Sequence, residues 1–221
     1  MTAPRIKAVL FDLDGTLVHS NEAHVEVWGR VFRDAGHVVA EDAIRGQIGK
    51  GGDLFVPTLL PHVPKDERER LDDEHGQRFK AGWLPRIAPF PRAHDLLARV
   101  HASGRKVVFA SSASGKELDH YLELLDAKRL VDAKTSIDDV ETSKPAPDIF
   151  GAALKKAGVA ADEALVVGDT PFDIEGATRA GIATVAVRSG GFTDDALAGA
   201  VAIYDDAADL LARFDESPLA A

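Results

Sequence analysis

Short apolar runs punctuate the chain, and each ends on polar residues: 6–11 runs into Asp12, 106–110 into Ser111, 164–167 into Gly168-Asp169, and 182–187 into Arg188-Ser189. Their β-branched content and unbroken apolarity predict strands buried on both faces. Between them, apolar positions recur at helical spacing and predict helices over 93–102, 116–125, 147–157 and 172–180, the last closed by Gly181. A last strand over 200–204, a last helix over 207–214 and a frayed end over 217–221 complete the pattern. Strands alternating with helices of this length predict an α/β fold with a doubly wound, Rossmann-like parallel sheet.

One region breaks the alternation. From residue 20 to 82 the pattern is helical throughout, with segments expected at 21–35, 43–48, 53–60 and 65–82. Gly36, the glycines of 49–52 and the prolines of 61–64 separate them, and Pro85, Pro89 and Pro91 lead back into the strand–helix pattern. The expected organisation is a core formed by residues 1–17 and 89–221, with residues 18–88 inserted as a helical cap hinged near 17–19 and 83–89.

Composition narrows the chemistry. The chain has 221 residues, a net charge of −10 and no cysteine, so thiolate catalysis and cysteine-ligated metals are excluded. The charge disfavours nucleic acid and anionic lipid as partners, and the mixed-sign run 65–74 reads as a solvated helix face. No apolar stretch approaches a membrane span, and the first residues lack a signal peptide; a cytoplasmic protein is expected. The eight histidines show no paired spacing for zinc. The pattern leaves the oligomeric state open.

In a doubly wound sheet ligands sit outside the carboxyl ends of the strands. The residues at those ends converge: Asp12 and Asp14 after the first strand, Ser111 after the second, Asp169 after a later one, with Lys144 in the loop before the helix at 147. The carboxylates suit a hard, oxygen-seeking cation, and the hydroxyl and ammonium suit phosphate oxygens. An acidic protein can thereby attract an anionic substrate. In isolation, Asp12-Leu13-Asp14-Gly15 reads more readily as an aspartate-rich turn closing a strand.

The ordered set Asp12-Leu13-Asp14-Gly15-Thr16, Ser111, Lys144-Pro145 and Gly168-Asp169-Thr170-Pro171-Phe172-Asp173 resembles the haloacid dehalogenase superfamily over nearly the whole chain, helical cap included. The resemblance implies a phosphatase acting on a small phosphorylated metabolite. Asp12 would be the nucleophile that forms an aspartyl-phosphate, and Asp14 the general acid and then base. Lys144 would be the catalytic lysine, and Thr16, Ser111 and Ser112 would contact substrate. Magnesium would be held by Asp12, Asp14 (through its backbone carbonyl) and Asp169, with Asp173 as a further ligand or the stabiliser of its helix.

Within that superfamily Asp14 argues against a dehalogenase, which needs no leaving-group acid, and Thr16 fits the phosphatases. A β-phosphoglucomutase-like enzyme is the rival, because His24 matches a histidine of those mutases. Against it, the mutases' cap arginine and lysine fall here at Gly52 and His75, the latter only partly charged at neutral pH. Lys50, in the glycine-rich loop 49–53, is expected to reach substrate; that loop reads equally as a plain helix–helix connection, and it is not a Walker motif. Trp28 and Trp83 are expected to pack. A receiver-like phospho-binding module, which needs no leaving-group acid, is the non-enzymatic alternative.

Overall fold

The computed structural model describes residues 5–221. Its frame is a six-stranded parallel sheet ordered β3-β2-β1-β4-β5-β6. β1 (Ala8–Phe11) runs between β2 (Lys106–Ala110) and β4 (Ala164–Gly168); β3 (Val131–Thr135) closes one edge, and β5 (Ala183–Val187) with β6 (Ala202–Tyr204) the other. Every residue of β1 and β4 is buried, as strands covered on both faces require. Alternate side chains of β1 divide between the two faces. Ala8 and Leu10 pack with Ile149 and Phe150 of α7 (Asp148–Ala157) and with Ala177 of α8 (Pro171–Arg179). Val9 and Phe11 share a cluster with Leu97 of α5 (Ala93–Ala102), Leu118 of α6 (Gly115–Leu124) and Leu210 of α9 (Ala207–Ala212).

The register decides where chemistry collects. Phe11 lies opposite Phe109 on β2 and Val167 on β4. The three strands therefore end almost level, and Asp12, Ser111 and Asp169 emerge at one edge.

Residues 20–86 carry α1 (Asn21–Asp34), α2 (Glu41–Arg45), α3 (Gly52–Leu59) and α4 (Lys65–Gly82). Trp28 organises them: its indole stacks on Phe55 at 4.5 Å and on the His75 ring at 4.1 Å. The Arg86 guanidinium lies 4.9 Å over the Trp83 ring. The two links to the sheet are bonded to each other, His19 N–H to Ala88 O and Phe90 N–H to Leu17 O, each at 2.9 Å.

Three expectations fail. β3 has no counterpart in the predicted strands, because it is an edge strand: Val-Asp-Ala-Lys-Thr alternates, and only Thr135 is buried. α2 ends at Arg45 rather than continuing to residue 48, since the chain turns there to bury Ile48. The end is not frayed: residues Pro218–Ala220 form a 3₁₀ turn, Leu219 is fully buried, and Arg105 donates to Ala221 O at 2.7 Å. Among the described residues no helix is long and apolar enough to cross a membrane.

Candidate active site

The turn after β1 places Asp12 and Asp14, and Gly15 makes that turn possible. Its φ is +78°, and an added Cβ would lie 2.2 Å from Asp169 Oδ2; only glycine tolerates both. Lys144, only 1% exposed, donates to Asp12 and, at 2.7 Å, to Asp173 Oδ1. Asp173 also closes the start of α8: its Oδ2 accepts from Thr170 N–H at 3.1 Å and from Thr170 Oγ1 at 2.7 Å, while Asp173 N–H returns to Thr170 Oγ1 at 3.2 Å.

Carboxylate oxygens of Asp12, Asp169 and Asp173 lie within 4.8 Å of one another, all three residues buried. Burial, with the charges of Asp12 and Asp173, pushes Asp169 well above the ordinary carboxylate range, despite bonds from Thr16 and Asn21. Burial also raises Asp12, the Lys144 charge pulls it back, and Asp173 and Asp14 raise it again; the net direction is up. Burial works against the Lys144 ammonium, but Asp12 and Asp173 outweigh it and hold the amine above its usual value. Three buried carboxylates facing one ammonium leave uncompensated negative charge, and the all-oxygen donor set suits a hard divalent cation. Asn21 Oδ1, buried without a partner while its Nδ2 donates to Asp169 Oδ2 at 3.1 Å, is a further oxygen beside this cluster.

Asp14 turns away from that cluster. Its Oδ1 accepts from Ser20 Oγ at 2.5 Å and Tyr121 OH at 2.7 Å, with His24 Nε2 at 3.4 Å. Burial raises this carboxyl, but the His24, Ser20 and Tyr121 contacts outweigh it and hold Asp14 below its ordinary value. Its side chain thus stands apart from the cluster, whose carboxylate set is Asp12, Asp169 and Asp173.

Asp12, Asp14, His24, Ser111 and Ser112 all line one cavity of about 320 Å³ that runs up to Trp28, Phe55 and His75. Ser111 Oγ accepts from Ala113 N–H at 3.1 Å, and Ser112 Oγ has no partner among the described residues. Residues 49–53 reach the sheet: Gly51 N–H donates to Ser143 Oγ and Ser143 N–H to Asp53 Oδ2, both at 3.0 Å.

Several expected roles change. Thr16 was expected to contact substrate; instead its single hydroxyl hydrogen goes to Asp169 Oδ1 at 2.8 Å, so it orients that carboxylate. Lys50 lines the cavity, but its ammonium is held by Gln47 at 2.7 Å and Thr58 at 3.3 Å, 4.7 Å above the Phe172 ring. His75 is not partly charged: burial, then His24 and Lys80, push its imidazolium well below the usual range. Trp28 packs as expected and also borders the cavity. Ser20, Asn21, Tyr121 and Ser143 are not among the residues that the sequence singles out. Only the helix start at residue 21, where a polar side chain is left free to reach outward, signals two of them.

A sequence model of the haloacid dehalogenase-like hydrolase family matches residues 9–187. A phosphoglycolate phosphatase of Rhodospirillum rubrum is 32% identical over 215 residues, covering 92% of this chain and 89% of that protein. A validoxylamine A 7'-phosphate phosphatase of Streptomyces hygroscopicus subsp. limoneus is 29% identical over 183 residues, covering 83% and 86%. The crystal structure of a hydrolase from Pseudomonas syringae superposes with a TM-score of 0.88 at 32% identity, covering 95% of this chain and 98% of the other.

Proposed function

The chain belongs to the haloacid dehalogenase-like hydrolases and is a phosphoric monoester hydrolase, and we propose that it is a magnesium-dependent phosphatase releasing phosphate from a small metabolite through an aspartyl-phosphate on Asp12. The observation that carries this reading is the meeting of Asp12, Lys144 and the Asp169–Asp173 pair beneath a cavity bordered by Asp14 and Ser111.

In the first step an Asp12 carboxylate oxygen attacks phosphorus, and the bond from phosphorus to the leaving oxygen breaks. Asp14, ionised in the free enzyme and taking up a proton as the anionic substrate binds beside it, gives that proton to the leaving oxygen from an orientation fixed by Ser20, Tyr121 and His24. In the second step Asp14 takes a proton from water, whose oxygen attacks phosphorus and returns Asp12 as carboxylate. Lys144 stays charged throughout and, with Ser111 and Ser112, holds the transferring oxygens. Thr16 and Asn21 position Asp169. Asp12, Asp169, Asp173 and the Asp14 backbone carbonyl would hold magnesium, which when bound offsets the negative charge shared by nucleophile and substrate. Residues 18–88 serve as the cap that closes over the cavity and excludes water.

Hydrolysis is favoured over mutase chemistry because a mutase must grip a second phosphate in the cap. Among the described residues no arginine lines this cavity, His75 is neutral and Lys50 is already occupied, which leaves Lys80 alone to meet a second phosphate. The test is p-nitrophenyl phosphate turnover with added magnesium. Activity should vanish in Asp12→Asn and after confirmed metal removal; activity that survives both would overturn the mechanism. Conversion of β-glucose 1-phosphate to glucose 6-phosphate, primed by the bisphosphate and without phosphate release, would restore the mutase reading.

A further inference from the structure

α1 begins without a side-chain cap. Ser20 stands at its N-cap position and Asn21 is its first residue, yet neither side chain turns back to accept from the helix's own N–H groups. Side chains at a helix start ordinarily satisfy those donors. Here both reach the catalytic carboxylates instead. Ser20 Oγ donates to Asp14 Oδ1 at 2.5 Å, and Asn21 Nδ2 donates to Asp169 Oδ2 at 3.1 Å and to Gly190 O at 3.3 Å. Two glycines make room for this amide and the carboxylate it holds. A Cβ on Gly15 would lie 2.3 Å from Asn21 Nδ2, and one on Gly190 would lie 1.8 Å from Asp169 Oδ2.

The other end of that amide finds nothing to accept from. Asn21 is 9% exposed, and its Oδ1 is buried with no hydrogen-bond donor among the described residues. Turning the amide over would not help, because it would set the oxygen against two acceptors, Asp169 Oδ2 and Gly190 O. A buried carbonyl oxygen left open is costly unless a donor arrives with a ligand. Oδ1 belongs to the same planar group whose nitrogen holds Asp169, and so lies one amide's width from the site where Asp12, Asp169 and Asp173 gather.

Magnesium gives up its waters reluctantly and keeps several of them when bound, each about 2.1 Å from the ion and each a strong donor. An acceptor about 2.8 Å beyond such a water falls where an amide bonded to a ligand carboxylate carries its oxygen. We propose that Asn21 Oδ1 accepts a hydrogen from a water carried by the bound magnesium while Nδ2 orients Asp169, so that one amide positions both the ion's outer shell and its carboxylate ligand. Calcium takes more of its oxygens directly and in a more flexible geometry, so a fixed outer-shell acceptor favours magnesium over it. The inference rests on the magnesium reading above and adds a positioning residue, supplied by the cap's first helix, to that site.

The experiment titrates the metal-stripped full chain with magnesium chloride and with calcium chloride by calorimetry, in the wild type, Asn21→Leu and Asn21→Ala. Magnesium affinity should fall about tenfold or more in both variants, the usual cost of removing an outer-shell partner, and the preference for magnesium over calcium should shrink with it. That preference is a ratio read within each variant, so a general loosening of the site does not imitate it. Equal losses for the two ions would mean that Asn21 only orients Asp169, and unchanged magnesium affinity would mean that Oδ1 meets an ordinary buried water; either result overturns the outer-shell role. Should neither variant fold, the side-chain carbonyl resonance of Asn21 in the NMR spectrum of the wild type decides. Saturating magnesium should move it, and calcium should move it less; no movement with magnesium overturns the proposal. A wild type that binds no magnesium sinks the magnesium reading and this one with it.

Discussion

Tyr121 donates its phenolic hydrogen to Asp14 Oδ1 at 2.7 Å, joining α6 to the turn after β1. The residue is fully buried, so the bond fixes the direction in which the Asp14 carboxylate faces the cavity. Burial and the Asp14 charge in turn push the phenol well above its ordinary value, keeping it a donor.

Tyr121→Phe should keep the packing and lose this one charge-assisted bond. Turnover of a sugar phosphate, which needs its leaving oxygen protonated, is expected to fall about tenfold to a hundredfold. Turnover of p-nitrophenyl phosphate should fall much less, because its leaving group barely needs an acid. Equal losses on both substrates would show that Tyr121 supports the fold and not the acid.

The contact between residues 49–53 and the sheet is a second lever. Ser143 accepts from Gly51 and donates to Asp53, and it immediately precedes Lys144. Ser143→Ala deletes the hydroxyl that receives Gly51 N–H but retains the backbone donor. It should weaken closure over bound substrate and raise KM about threefold to tenfold, with a smaller change in kcat. An unchanged KM would mean that the loop contact does not take part in binding.

Asp72 predicts a pH-dependent stability difference. Burial, together with Asp53, Asp73 and Glu117 and opposed by Lys80, raises its folded value from 3.8 to about 6. Between those values the folded state retains the proton that the unfolded state has lost. Stability therefore falls as pH rises across that window, and the full penalty is present above it. Asp72→Asn removes the penalty. Its Tm should exceed that of the wild type at about pH 7.5, and the gap should narrow steadily toward about pH 4. Thermal melts across that range check this; a gap that is constant or reversed would contradict the burial of a strained carboxylate.

What the sequence revealed follows from where each residue's constraint resides. Asp12, Ser111 and Asp169 were legible because each ends an apolar strand, and the parallel register brings strand ends together with no further information. Lys144 was legible from its loop before the helix at 147 and Asp173 only through the ordered motif; nothing local says that one ammonium will bridge two carboxylates. Tyr121 was hidden because its ring reads as core, and its hydroxyl finds Asp14 only through the packing of α6 on the sheet. Asn21 reaches Asp169 across 148 positions of sequence, which no local spacing encodes. Thr16 was identified as a functional residue, but its hydroxyl direction was not, because that depends on where Asp169 sits. β3 escaped because an edge strand wets one side and so breaks the apolar run that revealed the others.

The central claim is that phosphate leaves through Asp12 in two displacements rather than by direct attack of water. The stereochemistry at phosphorus measures this most directly. A substrate whose phosphoryl group is made chiral with oxygen and sulfur isotopic labels is hydrolysed in labelled water with magnesium, and the configuration of the released thiophosphate is determined. Two in-line displacements, first by Asp12 and then by water, each invert the centre, so net retention is predicted. Net inversion would mean a single attack by water, and would reduce Asp12 from nucleophile to a member of the carboxylate cluster.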